Sequence, residues 1–310
     1  MEIVVFGAGS LGSLVGGVLA RTDEHTVTLV AREPHARAIR ESGLRLGGEF
    51  DETVTPDATT DGSNLAADLA IVTVKSFDTP AAAETLATGA FDAVLSLQNG
   101  MGNEETLAAA IDAPILAGTA TYGAILQEPG VVECTGLGEI VLGWLDGGST
   151  GSDSNSSTQA THIGGAFDRA GLETAIAEDM PRRLWTKLAI NAGINPVTAL
   201  TGTTNDAVSS GPAAEVARDA ARETARVAEA AGVSLCEREV VTAMDRVATG
   251  TAANTSSMAQ DVAAGRRTEI DSINGYVVER ATALEVDVPT NQILTTLIRT
   301  WERGCGVRTA

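Results

Sequence analysis

At 310 residues the chain is too long for one compact core of ordinary size, and its 44% hydrophobic content is that of a globular protein, so two domains are expected. Its formal charge of −20, from 21 Lys and Arg against 41 Asp and Glu, repels nucleic acid phosphates and anionic lipid, and no apolar run has the length of a membrane span. The cysteines, Cys134, Cys236 and Cys305, have neither metal-ligand spacing nor a disulfide framework, and the histidines, His25, His35 and His162, are scattered, so no metal is expected.

The chain enters an apolar strand at Ile3 with no basic region before it, which predicts no cleaved secretory signal. With the unpaired cysteines this fits the cytoplasm. Lysine occurs only at Lys75 and Lys187. Excess acid, few lysines and many small residues together resemble proteins of salt-accumulating halophiles. An anion site on such a chain must be locally positive.

Ile3–Phe6 reads as a buried strand, Leu11–Ala20 as a helix and Val27–Val30 as the next strand. Further apolar strands are Leu69–Val74, Val94–Leu97 and Pro114–Ala117. Apolar runs separated by helical segments predict a mostly parallel sheet covered on both faces. Val131–Cys134 and Glu139–Leu142, flanking Gly136 and Gly138, read as a hairpin. Gly147–Thr161, rich in Gly, Ser, Thr and Asn, reads as an exposed loop. Beyond Pro181 the period is helical, in Leu184–Asn195, Ala213–Ala231, Glu237–Ala248, Ile270–Leu284 and Asn291–Arg303. Pro196 is expected to end the first of these. The fold expected is an α/β N-terminal Rossmann domain over residues 1–178 and an all-α domain over residues 179–310.

The turn Gly7-Ala8-Gly9-Ser10-Leu11-Gly12 follows a strand and opens a helix, the setting in which such a motif holds a dinucleotide. Its glycines permit close backbone approach to a pyrophosphate, and the helix N-terminus favours negative charge. The second strand runs out at Ala31-Arg32. Arg32 suits a 2′-phosphate and hence NADP(H), while Glu33 beside it suits the ribose hydroxyl of NAD. Lys75 and Asn99 each follow a strand of the sheet, on its ligand-binding edge. Lys187, Asn191 and Asn195 recur every four residues, on nearly one face of a helix among apolar neighbours. Polar groups there need partners, which a ligand can supply. Ser256 or Ser257 suits a helix N-cap, and Glu269 suits a first helical turn.

Gly7–Gly12, Val74-Lys75, Asn99-Gly100-Met101-Gly102, Gly118-Thr119, Leu184–Leu188 with Asn191 and Asn195-Pro196, Asn254–Asp261, and Thr268–Asp271 with Asn274-Gly275 together resemble the ketopantoate reductase (2-dehydropantoate 2-reductase) family over nearly the whole length. The resemblance implies a Rossmann domain and a helical domain of the 6-phosphogluconate dehydrogenase C-terminal type, with the active site in the cleft between them. It implies reduction of 2-dehydropantoate by NADPH to (R)-pantoate, a step toward pantothenate and coenzyme A. By motif, Lys187 is the proton donor and Asn99 touches both cofactor and substrate. Asn191, Asn195, Asn205, Asn254 and Ser257 bind substrate. Glu269 supports the catalytic centre or the cofactor, and Lys75 and Ala124 line the cofactor site. The partner expected is a small-molecule 2-oxo acid, and buried helical faces in the second half can support a homodimer. Two rivals remain: a paralogue acting on another 2-oxo acid, and a non-catalytic NADP-binding regulator.

Overall fold

Ile3 and Val5 point to one face of the first strand, Val4 and Phe6 to the other, and all four are buried. That double burial decides the architecture, since a strand apolar on both sides must be covered on both. The computed structural model describes residues 1–145 and 154–308. The chain divides into two units, Met1–Gln98 with Asn103–Met180, and Asn99–Gly102 with Pro181–Ala310.

The first unit runs β1 (Glu2–Phe6), α1 (Ser10–Leu19), β2 (Thr26–Val30), α2 (His35–Ser42), β3 (Leu44–Gly48), β4 (Glu52–Val54), β5 (Asp57–Thr59) and β6 (Ala66–Val72). It continues with α3 (Thr79–Leu86), β7 (Ala90–Ser96), α4 (Asn103–Ala108), β8 (Ile115–Ala120), β9 (Gly123–Glu128), β10 (Val131–Gly136), β11 (Ile140–Gly143), α5 (Ser154–Ala170) and β12 (Thr174–Ile176). Eight strands form the main sheet in the order β12-β11-β8-β7-β6-β1-β2-β5. Its pairs are parallel except β11 on β8. A second sheet has the order β4-β3-β10-β9. One face of the main sheet packs Val4, Phe6, Val72 and Val94 against Leu86 of α3 and Leu107 of α4.

The other face packs against Leu14, Val15, Val18 and Leu19 of α1, each worth about 1.5–3 kcal/mol when buried. Helix α1 lies against both sheets: a Cβ on Gly16 would run into Leu29 and Val5, and one on Gly17 into Leu44 and Leu46.

The second unit is helical: α6 (Met180–Thr201), α7 (Pro212–Ala230), α8 (Glu237–Gly250), α9 (Ser257–Ala263), a π-helical turn over Asp271–Gly275, α10 (Tyr276–Leu284) and α11 (Pro289–Gly304). Its core gathers Trp185, Leu188 and Ile194 of α6 with an alanine-lined face of α7 and with Ile270, Ile273, Leu294 and Ile298. No helix among the described residues is long and apolar enough to cross a membrane.

Three expectations need correction. The hairpin over Val131–Leu142 does not form. β10 pairs with β9, around a turn closed by Gly130 at φ +83°, while β11 crosses to the main sheet and pairs with β8. Helix α5 occupies Ser154–Thr161, because Ala160, Ile163, Phe167 and Ala170 recur at helical spacing and are buried; residues 147–153 lie outside the described residues. Pro196 does not end α6, which continues to Thr201. Proline withdraws the amide that would serve the carbonyl four residues back, and Asn274 Nδ2 donates to that carbonyl, Ala192 O, at 3.0 Å.

His35 ties α1 to both α2 and the second sheet. Its Nδ1 accepts from the Gly130 amide at 2.9 Å, which leaves the ring proton on Nε2 to donate to Ser13 Oγ at 2.9 Å. Burial lowers the His35 pKa below the ordinary imidazole value. The unfolded chain then binds more protons than the folded one, so this contribution is complete above the ordinary value and is lost as pH falls below it. Urea unfolding of the wild type and His35→Gln should show a stability gap at pH 7.5 that narrows at pH 5.5, from a starting size of about 1–3 kcal/mol. A gap that does not change with pH would refute the assignment.

Candidate functional site

The glycine turn is shaped by different constraints at its three glycines. Gly7 sits at φ +95°, and a Cβ there would strike the Val74 backbone and side chain. A Cβ on Gly12 would strike Thr73 Oγ1 and Gly7 O. A Cβ on Gly9 would approach only Gly7 O, at 3.9 Å. Packing therefore accounts for the first and third glycines but not for the second, which borders open space. Gly9 is also the N-cap of α1 and provides no side-chain cap, so the first-turn amides of Ser10, Leu11 and Gly12 point toward that space. This is the cradle that a pyrophosphate requires.

Thr73, which the sequence reading passed over, braces the turn. Its Oγ1 donates to Phe6 O and Gly7 O, at 3.2 and 2.9 Å. No motif signals it, since a threonine after an apolar strand is common. The Ser10 side chain is partly committed: its hydroxyl accepts from the Leu126 amide of β9 at 3.0 Å and so fixes that strand beside the turn. Ala124 is half-buried on the same strand. Lys75 is half-buried and opens a single 3-10 turn, directly after the Val74 that packs on Gly7.

At the end of β2 the two candidate cofactor readers behave differently. Glu33 is held by Arg40 at 2.6 Å. Arg32 is exposed, and its guanidinium pairs with no described residue.

In the helical unit, α6 carries Lys187 and Asn191, both half-buried, and Asn195, which is buried. Three other segments close on this helix or on the elements packed against it. The first is Asn99–Gly102: the Met101 amide donates to Ser272 O at 3.0 Å, Gly100 at φ +83° lies against Ser272, and Gly102 lies beside Tyr276. The Tyr276 ring meets Trp185 of α6 with centroids 5.9 Å apart. The second is Asn254–Ser257. Ser256, not Ser257, caps α9, accepting from the Ala259 amide, and its hydroxyl bonds Thr198 Oγ1 of α6 at 2.7 Å. The Ser257 hydroxyl is left exposed. The third is Asn205, whose amide donates to Asn254 O at 2.9 Å and whose Nδ2 donates to Thr251. Asn205 Oδ1 is buried and has no hydrogen-bond partner among the described residues.

Glu269 is 6% exposed and lies on the segment that leads into the π turn. That segment is clamped by charge. Glu302, fully buried, accepts from the Thr268 amide at 2.8 Å and the Thr268 hydroxyl at 2.7 Å, and is itself bound by Arg308. Asp271 takes Arg267, Arg299 and Arg308. Burial works to raise the Asp271 pKa, but the Arg308 and Arg299 hydrogen bonds outweigh it and hold the carboxyl below its usual value. Among the described residues no group of three or more His, Cys, Asp and Glu could hold a metal ion.

The comparisons with known proteins agree along the whole chain. A family profile described as ketopantoate reductase PanE/ApbA matches residues 3–147, and its C-terminal counterpart matches residues 179–302. A 2-dehydropantoate 2-reductase of Halobacterium salinarum is 42% identical over 309 residues, covering 98% of this chain and 99% of that protein. The crystal structure of a PanE/ApbA family ketopantoate reductase from Ralstonia eutropha superposes with a TM-score of 0.88 at 34% identity, over 99% of this chain and 100% of that one. D-mandelate dehydrogenase, solved with NADH and anilino(oxo)acetate, shares the fold with a TM-score of 0.90 at 22% identity, over 99% and 100% of the two chains. The chain belongs to the ketopantoate reductase family.

Proposed function

We propose that this chain reduces 2-dehydropantoate to (R)-pantoate with NADPH, supplying pantothenate and coenzyme A synthesis. The observation that carries the reading is the gathering on and around α6 of Lys187, Asn191 and Asn195 with the segments that hold Asn99, Asn205, Asn254, Ser257 and Glu269. On this reading the backbone of Gly7-Ala8-Gly9-Ser10-Leu11-Gly12 holds the pyrophosphate, and Ala124, Lys75 and Asn99 line the cofactor site. When bound, the dinucleotide supplies a hydride to the 2-keto carbon. Lys187 directs its ammonium at the ketone oxygen, stabilises the charge that develops there and then donates the proton. Asn191 and Asn195, one and two turns along, orient the substrate hydroxyl and carboxylate. The Ser257 hydroxyl, released from capping duty by Ser256, donates to the carboxylate, with Asn205 and Asn254 beside it. Glu269 supports the ammonium or the cofactor from its clamped segment.

The Arg40–Glu33 pair supports the choice of NADPH. With Glu33 engaged, Arg32 is the group at the end of β2 left to meet a 2′-phosphate. The acidic composition supports a source that accumulates salt.

Four outcomes follow. Lys187→Ala binds NADPH with near-normal affinity and loses about a hundredfold or more in kcat on 2-dehydropantoate; near-normal turnover refutes the role of Lys187. Arg32→Ala raises the KM for NADPH about tenfold and leaves that for NADH unmoved; a wild type that prefers NADH ends the NADPH reading. A panel of 2-oxo acids followed by NADPH absorbance has 2-dehydropantoate as the best substrate. Another acid winning would make the chain a paralogue, and no turnover at all with tight NADPH binding would make it a regulator. Finally, raising KCl from about 0.1 M to about 1 M shortens the Debye length from about 10 Å to about 3 Å and should raise Tm. A flat or falling Tm would remove the halophilic reading.

A further inference from the structure

We infer that Asn274 is a positioning residue for α6, standing in for the backbone amide that Pro196 withdraws and so setting the helix on which Lys187, Asn191 and Asn195 are arranged. The inference rests on the proposed role of that helix.

Pro196 lies inside α6, one residue after Asn195. A proline at this point removes the hydrogen bond to the carbonyl of residue 192 and sets its ring against that carbonyl. Ala192 is fully buried, and a buried carbonyl left without a donor costs about 1–3 kcal/mol. Asn274, itself 0% exposed, donates Nδ2 to Ala192 O at 3.0 Å.

The donor is held by a chain of buried groups whose orientation is forced. Asn274 Nδ2 faces two acceptors, Ala192 O and Asn291 Oδ1, the latter also at 3.0 Å. Asn291 Nδ2 likewise faces two acceptors, Ala220 O at 3.0 Å and Glu223 Oε2 at 2.8 Å. An acceptor on both sides admits only the amide nitrogen in each case. Glu223 of α7, 3% exposed, ends the chain by accepting from the Thr290 and Asn291 amides, both at 2.9 Å, at the start of α11. Two helices, α7 and α11, and the π turn thus converge on one carbonyl of α6.

With alanine at residue 196 the Ala192 carbonyl would need neither Asn274 nor Asn291, and apolar side chains in their places would pack without the cost of burying two amides. The carbonyl that the proline leaves unserved, Ala192 O, lies where α6 passes from Asn191 to Asn195. Beyond it Thr198 Oγ1 bonds Ser256 Oγ, which fixes the far half of the helix to the Asn254–Ser257 segment. Asn274 therefore joins α6, at the carbonyl one turn before Pro196, to the segment that begins at Glu269, five residues before it. Moving a positioning group by about 1 Å can cost up to about a hundredfold in rate.

The test is a cycle of Asn274→Ala, Pro196→Ala and the double variant. Each is assayed with 2-dehydropantoate, for NADPH affinity by fluorescence, and for amide exchange in the 187–195 stretch by mass spectrometry. Asn274→Ala should lose about tenfold to a hundredfold in kcat/KM for the keto acid, keep its NADPH affinity, and exchange faster in that stretch. Pro196→Ala restores an amide to the Ala192 carbonyl, so the double variant should recover most of both losses. It also serves if Asn274→Ala does not fold. An active wild type with Asn274→Ala unchanged in kcat/KM overturns the inference, as does a double variant no better than Asn274→Ala. A wild type that turns over no 2-oxo acid instead overturns the proposed function. The exchange data then judge the Asn274 link alone, and unaltered exchange in Asn274→Ala would overturn it too.

Discussion

The helical unit is organised around a carbonyl that its own helix cannot satisfy. Backbone polar groups buried without partners are scarcely tolerated, and Pro196 creates such a group in the most enclosed part of α6. The remedy draws on α7, α11 and the π turn at once. That requirement explains why a carboxylate, Glu223, is buried in an otherwise apolar alanine-rich interface: it terminates the chain of donors and caps α11 in the same act. It also gives the π turn a reason. Gly275 reaches back five residues to Ile270 O, and this local widening is the conformation in which Asn274 meets Ala192.

The nucleotide unit follows another constraint, the close approach of backbone to backbone. Gly7 and Gly12 are forced by Val74, Thr73 and the turn itself, so those two glycines would be needed whether or not a ligand came. Gly9 is different in kind, because no atom of the described residues requires it. His35 and Ser10 then bind α1 to the second sheet, the one through Gly130 and the other through Leu126. The start of α1 is thereby held by polar contacts on its flanks while the space in front of Gly9 stays clear.

How much of this was legible follows from the range of the interactions. The strand, glycine turn and helix were readable because each is local and strongly patterned: β1, α1 and β2 stand where the apolar runs placed them, while β6 and β7 begin three and four residues before the runs that predicted them. The second sheet was not, since β3 and β4 are short and only partly apolar, and β3 is joined on its other side by β10, far along the chain. Pro196 misled for the same reason. The cost of proline is local and visible, whereas its remedy sits 82 residues from the carbonyl it serves. The stripe of Lys187, Asn191 and Asn195 was legible from spacing alone, but the partition of Ser256 to the cap and Ser257 to the surface needed coordinates. Glu302 and Arg308, which clamp the Glu269 segment, carry no motif at all.

The charge of the chain bears on the proposed reading as a whole. A surface at −20 opposes both a dinucleotide and a 2-oxo acid at long range, yet at about 0.1 M salt that opposition fades beyond about 10 Å. Affinity must then come from contacts at close quarters, where direction counts for more than net charge. At the glycine turn this is the work of uncapped amides. At the end of β2, Arg40 occupies Glu33, so the acid nearest Arg32 is already paired. In the helical unit three arginines hold Asp271 and one holds Glu302, which keeps two acids around the Glu269 segment engaged. These arginines thus pair acids close to the candidate sites, and on the proposed reading the two lysines of the chain stand at those sites themselves. Arginine suits the first task through its several directed donors, and lysine suits the second because its proton can leave.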